Sequence, residues 1–352
     1  MIIYLLLPFV PLLFQFLYGK SEAFKKHFNL CLFLSMLPMF FIIGFRAEYI
    51  GADTLVYNNH FKYVLDTGLT QAIANSRMEA GYVRFVKYIG YLTSSPELYQ
   101  VIYTSIYFIG YYSFARLLDK DKAFMFVFFI ITLGLFFFML TGVRQNIAIS
   151  ICLFSVQFLF KRKYLIVALL LLLAFTFHKS ALLFVFVVLM YDRKLTGLNL
   201  LIYVGILILV SSYLLVLQDW VNENFDYEYQ IEETENGGIF LAIIAVMTFL
   251  SLIYYIKKGK SDKMVRFLFN ANILTLFLWI IRLQTRVAER PSYYFLGLSC
   301  ALFAYMYQYQ KTNRTSGIFL RIGIFSLSYA LFAYRLLTNF ISIIPYKTFF
   351  QV

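Results

Sequence analysis

Apolar runs of roughly 15 to 20 residues follow one another along the whole of this chain, near 2–18, 28–45, 98–115, 123–140, 145–160, 164–177, 180–191, 198–217, 239–256, 265–282, 292–309 and 318–337. Most are close to the ~20 residues that carry a helix across a bilayer. One soluble core could not bury so much apolar surface in a chain of 352 residues with 61% hydrophobic and 14% charged residues. The expected fold is therefore an all-α polytopic membrane protein of about twelve transmembrane helices, forming a single integral membrane domain over 1–352. The first run, MIIYLLLPFVPLLFQFLYG, lacks a basic leader and a small-residue cleavage site, so it reads as a retained helix kinked by two prolines. Cys31, Cys152 and Cys300 lie inside apolar runs without metal-like spacing and are read as packing residues.

The net charge of +13 would suit a nucleic-acid partner only if it were clustered on one exposed surface. It is instead divided between alternate loops. One set (19–27, 116–122, 161–163, 192–194, 257–266 and 311–321) holds 19 basic and 5 acidic residues, leaving 12 basic and 13 acidic residues elsewhere. Basic loops stay cytoplasmic, so the other set faces outward and no nucleic-acid partner is expected. This holds only if 164–191 is interrupted. A continuous 28-residue helix there would set His178 and Lys179 near the bilayer centre, at a cost of several kcal/mol for a lipid-facing Lys, and would reverse every later loop. A helical hairpin turning at His178-Lys179-Ser180 avoids both, with the turn in a protein-lined recess open to the outside. Two long outer loops result: 46–97, with short interfacial helices and a cap at SSPE, and the acidic 219–238.

On that outer side fall Arg46, Glu48, Asp53, Glu79, Arg144, His178, Lys179, Arg282, Arg286, Glu289 and Arg290. Arg282, Arg286 and Arg290, four residues apart, would form one basic stripe on a continuing helix, with Pro291 breaking it just afterwards. Arginines at helix ends also snorkel to lipid headgroups, His60 reads as a solvated loop residue, and the many tyrosines read mostly as lipid-facing or belt residues. No GxxxxGK[ST] loop, HExxH pair or Cys/His cluster offers nucleotide or metal chemistry, so neither a cofactor nor a metal is expected. Several converging arginines suit a phosphate-rich anion, because a guanidinium stays charged and grips phosphate oxygens with two N–H groups. Where that anion is a leaving group, arginines take over the charge stabilisation that a metal would otherwise give.

The ordered set R-x4-G-x-D-T-x2-Y (Arg46, Gly51, Asp53, Thr54, Tyr57), E-x-G-Y (79–82), GVRQNIA (142–148), FHKSAL (177–182) and an Arg-rich segment before Tyr293 and Tyr294 resembles the EpsG-like, Wzy-type polysaccharide polymerases, over roughly 40–300. The resemblance implies a GT-C-like fold with an outward-facing recess, and a metal-independent inverting glycosyltransferase in the bacterial plasma membrane with its site on the periplasmic or extracellular side. It would move a growing glycan from undecaprenyl diphosphate onto a lipid-linked repeat unit, making capsule, O-antigen or exopolysaccharide. The implied partners are undecaprenyl-diphosphate-linked donor and acceptor oligosaccharides, membrane lipid and a chain-length regulator. Asp53 or His178 is the expected base; Arg46, Arg144, Arg282, Arg286 and Arg290 are the diphosphate-binding candidates; Glu79, Tyr57, Gln145, Lys179 and Tyr293 are supporting. Two other classes fit the same charges: a transporter or flippase of lipid-linked glycans, and a glycosyltransferase using a polyprenyl-monophosphate sugar, for which Glu48 and Asp53 would be the paired acids.

Overall fold

Each apolar run contributes helix in the computed structural model, which describes residues 1–213, 216, 237–259, 261–309, 315–338 and 341–351. The acidic loop 219–238 lies outside these, except for its last two residues. No strand longer than a single bridge occurs among the described residues. Five helices are long and apolar enough to cross a membrane: Ile2–Lys20, Val143–Phe160, Gly238–Lys258, Lys263–Ile281 and Gly317–Leu337. Four more apolar helices, Phe28–Gly44, Tyr164–Phe177, Lys179–Leu189 and Gly197–Ser212, are shorter. The chain is thus an all-helical membrane protein, and among the described residues five helices meet the length and composition that crossing requires.

The chain divides into two units, 1–182 with 310–352, and 183–309. In the first unit the helices run α1 (Ile2–Leu6), α2 (Phe9–Lys20), α3 (Glu22–Lys26), α4 (Phe28–Gly44), α5 (Thr54–Asp66), α6 (Leu69–Asn75), α7 (Ala80–Gly90), α8 (Pro96–Ala115), α9 (Lys120–Thr132), α10 (Leu135–Met139), α11 (Val143–Phe160) and α12 (Tyr164–Phe177), and the helix Thr315–Leu337 returns to it. The break between α1 and α2 falls at Leu7-Pro8, where proline removes an N–H from the helical ladder. The 46–97 segment is the three short helices α5 to α7. Ser95 then caps α8: its Oγ accepts the Leu98 N–H at 3.1 Å, and Pro96 occupies the first helical position, where no N–H is needed.

The long helix 164–191 does not exist. α12 stops at Phe177, His178 is extended (φ −157°, ψ 119°), and a 3-10 turn, Lys179–Phe184, follows. α11 packs between α8 and α12, and α7 packs on α5 and α12. The core of this layer is aromatic. Tyr99, Tyr103, Tyr107 and Tyr111 repeat every fourth residue of α8 and are all buried, so they form one inward stripe rather than a lipid belt. Each of the first three finds a polar partner: Tyr99 the Tyr82 hydroxyl, Tyr103 the Arg46 guanidinium, and Tyr107 the Val143 carbonyl at 3.2 Å. In an apolar interior an unpartnered hydroxyl is costly, which is why such a stripe can be buried only against polar loops and helix ends.

The segment 341–351 lies along the end of α4. Ala47 N–H donates to the Lys347 carbonyl at 2.9 Å and Phe349 N–H to the Phe45 carbonyl at 3.1 Å, forming a bridge at Arg46 and Thr348. Phe349 stacks on Phe45 at 5.4 Å, and the Tyr4 hydroxyl donates to the Ile343 carbonyl at 3.0 Å.

In the second unit, helices Gly238–Lys258, Lys263–Ile281 and Glu289–Tyr309 pack together through buried small polar pairs, Asn272 on Thr248 at 2.9 Å and Thr275 on Ser299 at 2.8 Å. Such pairs join helices where apolar contact alone gives no preference over lipid.

Candidate functional site

The turn after α4 is organised by Arg46. Its side chain is 1% exposed. Nε donates to the Ile50 carbonyl at 3.2 Å and to Thr54 Oγ1 at 3.1 Å; Nη2 donates to the Tyr103 hydroxyl at 3.1 Å and the Leu140 carbonyl at 3.5 Å; and Nη1 donates to the Ile43 carbonyl. Carbonyl dipoles compensate the buried charge. Enclosed in this way, Arg46 offers an anion no exposed edge and clasps the loop, a geometry that fits an anchor rather than a diphosphate ligand. Gly51 makes the clasp possible. It has φ +87°, and a Cβ there would lie 2.1 Å from the Leu140 carbonyl oxygen.

Asp53 follows at the N-cap position of α5, half-buried, with no side-chain hydrogen bond or ion pair among the described residues. Among the described residues it pairs with no arginine. One turn later Tyr57 is buried and reaches Arg144.

Arg144 lies in the first turn of α11, and it is the point at which three of the sequence motifs meet. Nη1 is ion-paired with Glu79 Oε2, and Nε donates to the Tyr57 hydroxyl at 3.5 Å. Glu79 Oε1 accepts the backbone N–H of Lys179 at 3.2 Å. A single carboxylate therefore ties the E-x-G-Y, G-V-R-Q and F-H-K-S segments together. The Arg144 side chain is 17% exposed and Glu79 7%, and Nη2 of Arg144 has no partner among the described residues. Gly81 sets the approach of α7 to α12, since a Cβ there would lie 2.4 Å from the Thr176 side chain and 2.5 Å from its carbonyl. His178 is 5% exposed, with Nδ1 2.7 Å from Ser180 Oγ, so its ring caps the break in the helix. Gln145 is buried beside Arg144 in sequence.

The sequence reading took His60 for a solvated loop residue and gave Tyr82, within the E-x-G-Y motif, no separate role. His60 is half-buried rather than solvated: its ring stacks on Tyr82 (5.7 Å between centroids, 29° between planes), and Nε2 is 3.1 Å from Ser76 Oγ. Burial, and secondarily the charge of Arg144, push the imidazole down to about 4. Tyr82 also meets Tyr57 edge to face at 5.9 Å. The available signal was spacing: Tyr57, His60 and Phe61 lie on one face of α5 at i, i+3, i+4.

The late arginines belong to the second unit and do not form a stripe. Helix Lys263–Ile281 ends before Arg282, Thr285 caps a short 3-10 turn over 286–288, and a new helix starts at Glu289. Pro291 sits in the first turn of that helix, where a missing N–H is harmless, instead of breaking it. Arg282 is 5% exposed; its Nε donates to Glu289 Oε2 at 2.9 Å, and the Tyr293 hydroxyl donates to Glu289 Oε1 at 2.9 Å. This knot joins the two helix ends. Arg286 and Arg290 are exposed. Among the described residues no three His, Cys, Asp or Glu side chains gather where they could hold a metal ion.

No curated protein and no solved structure matches the chain. A family model does, over residues 29–348, which include Arg46, Glu79, Arg144, His178 and the late arginines. The chain belongs to the EpsG family.

Proposed function

We propose that this protein is a polysaccharide repeat-unit polymerase: an inverting, metal-independent glycosyltransferase that moves a growing glycan from undecaprenyl diphosphate onto a lipid-linked repeat unit at the outer face of the bacterial plasma membrane. The family supports a polymerase role. The observation that carries the finer reading is Arg144, fixed by Glu79 and Tyr57 with Nη2 unengaged and part of the side chain exposed. A guanidinium so placed suits the diphosphate of the donor, whose charge grows as it leaves.

In the proposed step the acceptor hydroxyl oxygen forms its bond to the anomeric carbon of the donor as the bond from that carbon to the diphosphate oxygen breaks. The diphosphate departs with the bonding electron pair and meets the Arg144 charge. Asp53 takes the hydroxyl proton; it is half-buried and has no cation to compete for its lone pairs. Glu79 is unsuited to that task because both of its oxygens are engaged by Arg144 and Lys179.

The experiment is to supply the purified protein with a panel of lipid-linked repeat units and look for laddered glycans, with and without a chelator. Ladders insensitive to chelation, lost in Arg144→Ala and strongly reduced in Arg144→Lys, are expected. Glycan movement across a vesicle membrane without bond formation would establish a transporter instead, and chelator-sensitive transfer from a polyprenyl-monophosphate sugar would establish the other transferase class.

A further inference from the structure

Among the described residues His60 Nδ1 is enclosed and has no hydrogen-bond partner. The other ring nitrogen is committed. Ser76 Oγ already accepts the Met78 N–H at 3.0 Å, and the acceptor within reach of its own proton is His60 Nε2 at 3.1 Å. In the tautomer in which that hydroxyl donates to Nε2, the ring proton sits on Nδ1. The imidazole is also held rigidly, between Tyr82 on one face and Ser76 at its edge. A fixed, neutral N–H donor with no partner is costly to an apoprotein, and that cost is recovered when a ligand supplies an acceptor.

We propose that His60 is a substrate-binding residue, whose Nδ1–H, closed off in this structure, is uncovered when the lipid-linked glycan enters beside Arg144 and donates to one of its hydroxyl or ring oxygens. This rests on the polymerase reading for the identity of the glycan. A sugar oxygen suits the position better than a phosphate oxygen. An anion would call for a protonated imidazole, but the groups facing this ring, the Arg144 cation and the Tyr82 and Tyr63 rings, include no carboxylate. Tyr57 and Tyr82 also give the aromatic surface against which sugar rings pack.

The two ring nitrogens can be tested separately, because Asn places an amide near the Nδ1 position and Gln near the Nε2 position. Binding to the purified protein is measured for two lipids: undecaprenyl diphosphate carrying the repeat unit, and undecaprenyl diphosphate alone. His60→Gln keeps the Ser76 partner and is expected to weaken binding of the glycan-bearing lipid about five- to tenfold, the value of one neutral hydrogen bond, without changing binding of the bare lipid. His60→Asn is expected to stay within about twofold of wild type for both. Wild-type glycan affinity in His60→Gln, equal losses in Gln and Asn, or equal losses for both lipids would each overturn the proposal. Failure of the polymerase reading looks different: wild type would bind the glycan-bearing lipid with the same His60 dependence yet form no glycosidic bond. Absence of any binding to wild type would sink both.

Discussion

Removing the Glu79 carboxylate is the sharpest perturbation of this structure, because one side chain holds three segments. Glu79→Ala takes away the ion pair to Arg144 and the acceptor for the Lys179 N–H. Breaking a buried pair by deleting one partner costs about 3–5 kcal/mol, mainly because the other charge is left uncompensated. Arg144 is 17% exposed, so the lower end applies, roughly 3 kcal/mol. The orphaned Lys179 N–H adds about 1 kcal/mol. A loss of about 4 kcal/mol is a large share of the ~5–15 kcal/mol that holds a folded domain together, and in a unit of this size it corresponds to a fall in Tm on the order of 8–16 °C. Arg144→Ala in the same molecule removes the stranded charge, so the double variant should be more stable than the two single losses predict, by about 2 kcal/mol. Thermal unfolding of the detergent-solubilised wild type, both single variants and the double variant completes the cycle. A wild-type Tm in Glu79→Ala, or strict additivity in the double variant, would refute the claim that this carboxylate is the joint.

Four further outcomes are expected. Gly51→Ala adds about 1 kcal/mol of backbone strain at φ +87° and a Cβ against the Leu140 carbonyl, so it should lower Tm and abolish polymerisation. Gly51→Asn, which tolerates the backbone angle, should be no better, and wild-type behaviour of either would remove the clasp from the account. Below pH ~6.5 the unfolded chain protonates His60, whereas the fold resists protonation until about 4. Stability from this group is therefore full above 6.5 and is lost as pH falls toward 4, a decline in Tm that His60→Gln should lack. All three native cysteines are buried, so an impermeant thiol reagent should label Tyr91→Cys in intact cells and Lys161→Cys only after lysis; the reverse pattern would invert the proposed orientation. Asp53→Asn should bind donor and fail to transfer, and substantial turnover there, alongside a folded, donor-binding but inactive His178→Ala, would move the base to His178.

The class of fold was legible in the sequence because it depends on a repeated signal, apolar run length; Glu79, Arg144 and His178 stood out as polar residues on one side of the membrane, but that the three motifs meet at one carboxylate was not readable. The interruption at His178 was also readable, since a lysine beside it could not sit in lipid. Arg46 was not. Its partners are mostly carbonyls, which every residue has, so nothing in the letters around it distinguishes a caged cation from one that awaits an anion. The tyrosines of α8 were misread for a related reason: hydropathy places a helix at the membrane but does not say which side of it faces protein. For the late arginines the information was present, in Thr285 as a capping residue and Pro291 as a first-turn residue, and the regular spacing of three arginines concealed it. His60 illustrates a different limit, because its partner Ser76 and its neighbour Tyr82 lie beyond a chain reversal that spacing rules do not reach.

The pairing of Ala47 with Lys347 and of Tyr4 with Ile343 has a consequence for biogenesis. A ribosome feeding this chain into the membrane adds some fifteen to sixty seconds of synthesis between those partners, at ~5–20 residues per second. Throughout that interval the Arg46 turn lacks the segment that lies against it. The nascent protein therefore holds helices in the bilayer before the turn carrying Asp53 can be finished, and the stretch from Ile343 to Lys347, made about 300 residues later, decides when it is. Any cellular quality control acting on stalled or truncated chains would meet a molecule that is inserted but not yet closed.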